Sequence, residues 1–241
     1  MAQFDLKKAE IRFRDGYSEA GAVNLMAGYS AAATTMVIDG VVGAIPVGSY
    51  FGVGSGEKKY KIVSTIETGD DTTSVTFTPG LDAMVADNAV LTFGGRQVKV
   101  KVGEGNLSWD ENRTIEYILD RGVIDEVREG DEVPIDVNLD IQWQFITGDA
   151  GDPGGGLATL EDILKQTGLA SDWISSDTDT CRPYAVDIIL DYVPACSTVK
   201  KEFIVLKDYR WEKMSHDAKA GTISTSGKCN VRVAEATRFT Q

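Results

Sequence analysis

The sequence is short of the residues on which most catalytic and metal chemistry depends. It has one histidine, His216, and three cysteines in 241 residues. An odd number of cysteines argues against a disulfide framework. Cys181 and Cys196 bracket an expected strand, which would hold their Cα atoms far beyond the roughly 7 Å bridging limit. All three therefore read as free thiols, with Cys229 buried. Zinc needs Cys or His at close spacing, and these four residues supply no such pair. His216 has a carboxylate neighbour, Asp217, but no Ser or Cys in a known nucleophile setting, so a surface or capping role outweighs a catalytic one. Aromatic residues are few and scattered, and no sugar-stacking cleft is visible among them. No apolar run reaches the roughly 18 residues of a membrane-spanning helix, and residues 1–5 lack the basic start and apolar run of an export signal. The chain thus reads as cytoplasmic and unexported, with no indication of an enzyme, a metal, a cofactor or a membrane partner.

Two acidic turns, Asp149-Ala150-Gly151-Asp152 and Asp177-Thr178-Asp179, offer hard oxygen ligands, yet neither follows a calcium-loop pattern, and Asp-rich turns are usually solvated turns. Residues 151–156 are Gly-rich but lack the Lys and Ser or Thr of a phosphate-binding loop. They read as a mobile connection.

What the sequence does have is acid and alternation. Of the net charge of −13, −11 falls between Glu104 and Asp152, where fourteen Asp and Glu stand against Arg113, Arg121 and Arg128. An acidic surface repels a phosphate backbone, so the chain is not built to grip nucleic acid, although it could let nucleic acid pass. Within this acidic region, from Val133 to Ile146, Ile135, Val137, Leu139, Ile141, Trp143 and Phe145 alternate with Asp136, Asn138, Asp140, Gln142 and Gln144. Successive strand side chains point to opposite faces, so this pattern predicts one long strand with an apolar face and a polar one.

The rest of the chain is mainly β. Ala9 to Arg14 reads as a first strand that closes at Asp15-Gly16, and its natural continuation, Val98 to Val102, comes only much later. Between them residues 17–95 are Gly- and Ala-rich and poor in charge. Short β-type runs at Thr35–Ile38, Tyr50–Val53, Tyr60–Thr65, Ser74–Thr78 and Ala89–Phe93 are separated by turn signals, which predicts a compact five-stranded barrel or sandwich. An independent β module inserted into the first hairpin of a host domain, with Gly16 and Gly94-Gly95 as hinges, explains the composition shift; one continuous sandwich is the other option. The division is then 1–16 with 96–241 for the host and 17–95 for the insert.

In the host, strands are expected at Leu107–Trp109, Thr114–Leu119, Tyr184–Tyr192, Phe203–Leu206, Tyr209–Trp211 and Ile223–Val233, the last broken by Gly227. Asp120 to Glu132 reads as a loop with eight formal charges that also carries Val123, Ile124 and Val127. One helix of about eight residues is expected, with Thr159 as cap, Asp162 supporting the first turn, Leu160, Ile163 and Leu164 as its apolar stripe and Gly168 as its stop.

Several motifs in this order resemble the major tail tube proteins of long-tailed bacteriophages. They are Gly105-Asn106-Leu107-Ser108-Trp109 with Glu111-Asn112-Arg113, Ile115-Glu116-Tyr117, Asp120-Arg121-Gly122, Val127-Arg128-Glu129-Gly130-Asp131-Glu132, Thr159-Leu160-Glu161-Asp162, Tyr184-Ala185-Val186-Asp187-Ile188 and the run from Asp217 to Asn230. The resemblance covers the host region; the insert resembles a small β domain of various phage structural proteins. It implies a β-sandwich or half-barrel with one flanking short helix, assembled as stacked hexameric rings that form a conduit for DNA. Expected partners are then further copies of the chain and other tail proteins such as the tape measure and terminator, with DNA passing unbound. The expected location is the virion tail, and the host cytoplasm during assembly.

On that resemblance Asp136, Asn138, Asp140, Gln142 and Gln144 would line the lumen, although an ordinary solvated strand shows the same alternation. The residues Arg121, Val123, Ile124, Asp125, Glu126, Val127, Arg128, Glu129, Asp131 and Glu132 would form the contact between rings. The alternatives are a carbohydrate- or surface-binding β module and a tube component of a contractile secretion system.

Overall fold

A computed structural model describes residues 9–69, 71–101, 106–142, 146–147, 157–192 and 201–239. The fold is mainly β; among the described residues 54% lie in strands, 5% are helical and there is a single short α-helix.

Strand β1 (Glu10–Arg14) is followed by β2 (Ala20–Val23), β3 (Thr35–Asp39), β4 (Ser49–Val53), β5 (Tyr60–Gly69), β6 (Thr72–Thr78) and the long β7 (Val90–Lys101). Strands β2 to β7 pair in the order β2-β3-β6-β5-β4-β7, and β2 pairs back onto β7, so this segment closes into a six-stranded barrel. Five of these strands lie where the turn spacing predicts them. The sixth, Ala-Gly-Ala-Val, carries too little side chain to show a period. The barrel has its own core, in which Phe51 packs on Tyr60, Phe77 and Phe93 with ring centroids 5.2, 5.0 and 5.8 Å away.

Beyond the barrel β7 continues into a second unit, where its last residues pair with β1 from Arg14↔Gln97 to Glu10↔Lys101. Strands β8 (Asn106–Asp110), β9 (Ile115–Asp120), β10 (Val123–Glu129), β11 (Ile135–Gln142), β12 (Ile146–Thr147) and β13 (Leu157–Ala158) come next. Helix α1 (Leu160–Lys165) and a 3-10 turn at Gly168–Ala170 precede β14 (Val186–Tyr192), β15 (Lys201–Asp217), β16 (Thr222–Cys229) and β17 (Glu235–Phe239). One sheet runs β7-β1-β14-β15-β17 and another β15-β16-β11-β8, sharing the seventeen-residue β15. Its first half pairs with β14 and β17, its second with β16, and the change comes at Asp208, which has φ +55°. Both sheets feed one core, with Ile11, Phe13, Val100, Ile188 and Leu206 from the first and Val137, Leu139, Ile141 and Ile223 from the second.

Helix α1 seals this core with Leu160, Ile163 and Leu164. Its Thr159–Asp162 capping box forms as the sequence predicts, with Asp162 N donating to Thr159 Oγ1 at 3.1 Å and Thr159 N donating to Asp162 Oδ2 at 3.0 Å. The helix ends earlier than Gly168, at Gln166, whose own backbone takes the left-handed cap conformation (φ +54°).

Two sequence expectations are corrected, the start of the long strand and the break at Gly227. The long strand is described over Ile135–Gln142; Trp143, Gln144 and Phe145 lie outside the described residues, and Ile146 pairs with Ala158 between β12 and β13. The strand starts at Ile135, whose N–H donates to Val231 O, because Pro134 has no N–H to give. Gly227 does not break its strand: a side chain there would overlap the Arg210 carbonyl, so the glycine lets β15 and β16 approach at a bulge.

The glycines at the barrel's ends have close neighbours. A side chain at Gly16 would overlap the Ser175 carbonyl, and one at Gly95 the Asp15 backbone. Beside them the fully buried Asp15 carboxylate accepts from Arg96 Nε at 2.7 Å and from Arg96 N at 2.8 Å. Arg96 also reaches Asp172 at 2.6 Å. The joint is close-packed and ion-paired. Cys196 and the Asp149–Gly156 loop lie outside the described residues.

Candidate functional site

Two surfaces stand out, and both grow from the acidic region. The first is the outward face of the sheet β15-β16-β11-β8. On β11 the apolar set Ile135, Val137, Leu139 and Ile141 is 0–2% exposed, so the alternating Asp136, Asn138 and Asp140 must face away from the core. Neighbouring strands extend this face through register: Asn138 stands opposite Ser226 on one side and Ser108 on the other, while Asp140 stands opposite Ser224. Asp136 stands between Lys228 and Asp110. On β15, Lys213 and Ser215 complete the rows opposite Ser226 and Ser224.

The result is a broad, shallow surface of hydroxyls, amides and a few charges, with a depression of about 210 Å³ lined by Ser108, Asn138, Asp140, Lys213, Ser215, Ser224 and Ser226. Asp140 accepts a hydrogen bond from Ser224 Oγ at 3.1 Å, and Lys228 Nζ lies 3.7 Å from Asp136. The wall is thus not purely acidic, because Lys213 and Lys228 arrive on it from strands more than seventy residues away. Of the other two residues expected on this wall, Gln142 pairs through its backbone with Thr222, and Gln144 lies outside the described residues.

The second surface is the segment expected to be a charged loop. It is a β-hairpin, and it pairs with no other strand among the described residues. Asp120 and Val123 pair across a two-residue turn in which Arg121 (φ +49°) and Gly122 (φ +86°) both take positive φ, the geometry that matches strand twist. Asp125 is bulged out between Ile124 and Glu126. The register places Ile124 opposite Leu119, Val127 opposite Tyr117 and Glu129 opposite Ile115. One face therefore carries Ile115, Tyr117, Leu119, Ile124 and Val127, which are 44, 59, 60, 57 and 55% exposed.

The other face and the base hold the charges. Arg128 pairs with Glu116 at 2.7 Å, and Arg232 ties the base down through Glu129 at 2.6 Å and Glu132 at 3.2 Å. Val123 and Asp131 are exposed, and Glu126 stands opposite Ile118. Of this surface Val123, Ile124 and Val127 stand out in the sequence, whereas their alignment with β9 and the anchor Arg232 do not. The Arg121-Gly122 step was the available turn signal.

The residues considered for chemistry are occupied otherwise. Asp177 accepts from Arg210 at 2.5 Å, from Arg182 at 3.3 Å and, through its other oxygen, from Asp179 N at 3.0 Å; this last bond and the two arginines hold its carboxyl below the ordinary value. His216 lies 3.5 Å from Glu161 at the helix. Cys181 is exposed, and burial pushes the Cys229 thiol up to about 12. Phe51, Tyr60, Phe77 and Phe93 are spent on the barrel core, not on a stacking platform. Among the described residues no group of three His, Cys, Asp or Glu is arranged to hold a metal, and no helix is long and apolar enough to cross a membrane.

No known family model, curated protein or solved structure matches the chain.

Proposed function

We propose that this protein is a structural subunit that assembles with copies of itself into a tube, with the polar face of β15-β16-β11-β8 turned to a lumen through which DNA passes. The observation that carries this reading is the hairpin β9–β10. A two-stranded hairpin is marginal alone in water, and five large apolar side chains on one of its faces need cover that the described residues of this chain do not supply. A neighbouring subunit is the cover that closes the account.

Two further features support it. Strands β8 and β17 each pair on one side only among the described residues, so the sheets end in open edges. Open edges of a β protein invite pairing with another chain. The wall, for its part, is shallow and among the described residues offers no enclosed site for a ligand or a reaction. A channel for a polyanion needs such a surface, since every free cation on it adds a phosphate contact and slows transit. The tail tube resemblance of the host motifs points the same way, and on it the barrel is a decoration carried outside the tube.

Electron microscopy of the purified full-length protein tests the proposal. Rings or tubes with an open central channel are expected. A chain that stays monomeric at high concentration under all assembly conditions would overturn it.

A further inference from the structure

Among the described residues the polar wall carries two lysines, of which only Lys228 faces a carboxylate; Arg210, opposite Lys228 on β15, is already held by Asp177 at 2.5 Å. Lys228 on β16 stands directly opposite Asp136 on β11, with Nζ 3.7 Å from Oδ1, and both side chains are about half exposed at 47% and 44%. On its far side Asp136 faces Asp110, so two carboxylates flank that row. Asp140, four residues along the same strand, is engaged differently, by the Ser224 hydroxyl. Lys213, opposite Ser226, has no carboxylate within 4 Å among the described residues.

We infer that Asp136 acts as a charge mask: it neutralises Lys228 so that, among the described residues, the wall presents one free lysine to nucleic acid instead of two. The functional consequence rests on the conduit reading; the masking itself does not. A surface ion pair contributes little to folding stability. Its effect on a polyanion is another matter, because a lysine already facing a carboxylate offers a phosphate no net charge to gain. Asp136 and Asp140 are thus not equivalent acids of one repulsive surface. Losing Asp140 removes a negative charge near a hydroxyl, whereas losing Asp136 removes a negative charge and releases a positive one.

The test is a titration of the soluble full chain with a fluorescent duplex oligonucleotide between 50 and 200 mM salt, using wild type, D136N, K228Q, D140N and the D136N/K228Q pair. Each freed phosphate contact steepens the slope of log affinity against log salt by about 0.9, which over this fourfold salt range is a further loss of about 3.5-fold. D136N should bind more tightly at low salt and show that steeper slope, D140N should leave the slope near wild type, and D136N/K228Q should return to it. A slope unchanged in D136N, or a change that K228Q does not reverse, overturns the inference. Because the titration needs no assembly, a D136N effect in a protein that forms no tubes would uphold the mask and count only against the conduit.

Discussion

Strand β11 and the hairpin β9–β10 follow the same rule and meet opposite fates. In β11 the alternating Ile135, Val137, Leu139 and Ile141 are almost fully buried; in β9 the alternating Ile115, Tyr117 and Leu119 are 44–60% exposed. Period-two alternation guarantees an apolar face in both cases. It does not say what covers that face. For β11 the cover is the opposing sheet and helix α1 of the same chain. For the hairpin no cover exists among the described residues, and in the proposed assembly another subunit supplies it.

The comparison breaks first on the buried side. Leu139→Ala removes a side chain that is 2% exposed in the middle of the sandwich core. It should cost about 2–5 kcal/mol, read from denaturant unfolding. A loss below about 1 kcal/mol would mean that the core of β11 is no better packed than the hairpin.

A second, smaller effect sharpens the contrast through pH. Cys229 lies on the same core, and burial holds its thiol near 12 instead of the ordinary 9.0. A raised folded value means that the unfolded thiol ionises first. Stability is therefore intact below pH 9 and falls as pH rises from there towards 12, by about 1.4 kcal/mol per pH unit on this group's account. Cys229→Ala should flatten that alkaline slope relative to wild type, and an identical slope in the two proteins would contradict the burial argument. At pH 8 the exposed Cys181 should react with a thiol reagent while Cys229 reacts only after unfolding.

Much of this architecture was legible in the sequence, for identifiable reasons. The apolar face of β11, the capping box at Thr159 and Asp162, and five of the six barrel strands are written in local patterns, and each forms where its pattern lies. Other elements were hidden because their signals are weak or not local. Strand β2 is made of small residues, and Glu235–Phe239 lacks an apolar period, so neither announces a strand. The hairpin was masked by its own charges, which interrupt the apolar residues in sequence but fall on the opposite face and at the base in space. The lysines of the wall come from β15 and β16, and only register places them beside Asp136. The glycines of the joint looked like freedom; Gly16 and Gly95 are in fact there because the backbone of a neighbour leaves no room for a side chain.

The smallest expected change in stability carries the most information. Replacing Tyr117 and Leu119 together by Ser removes two of the largest side chains from a surface that solvent already reaches. In the isolated subunit the substitution should move unfolding free energy by no more than about 0.5 kcal/mol per site. Its effect should fall on association instead. Sedimentation velocity of wild type and of this double variant, with unfolding followed on the same samples, is the most direct measurement. The account predicts large assemblies for wild type and a stably folded monomer for the variant. A variant that assembles as well as wild type, or one that unfolds as readily as Leu139→Ala, would show that the hairpin face is not an interface between subunits.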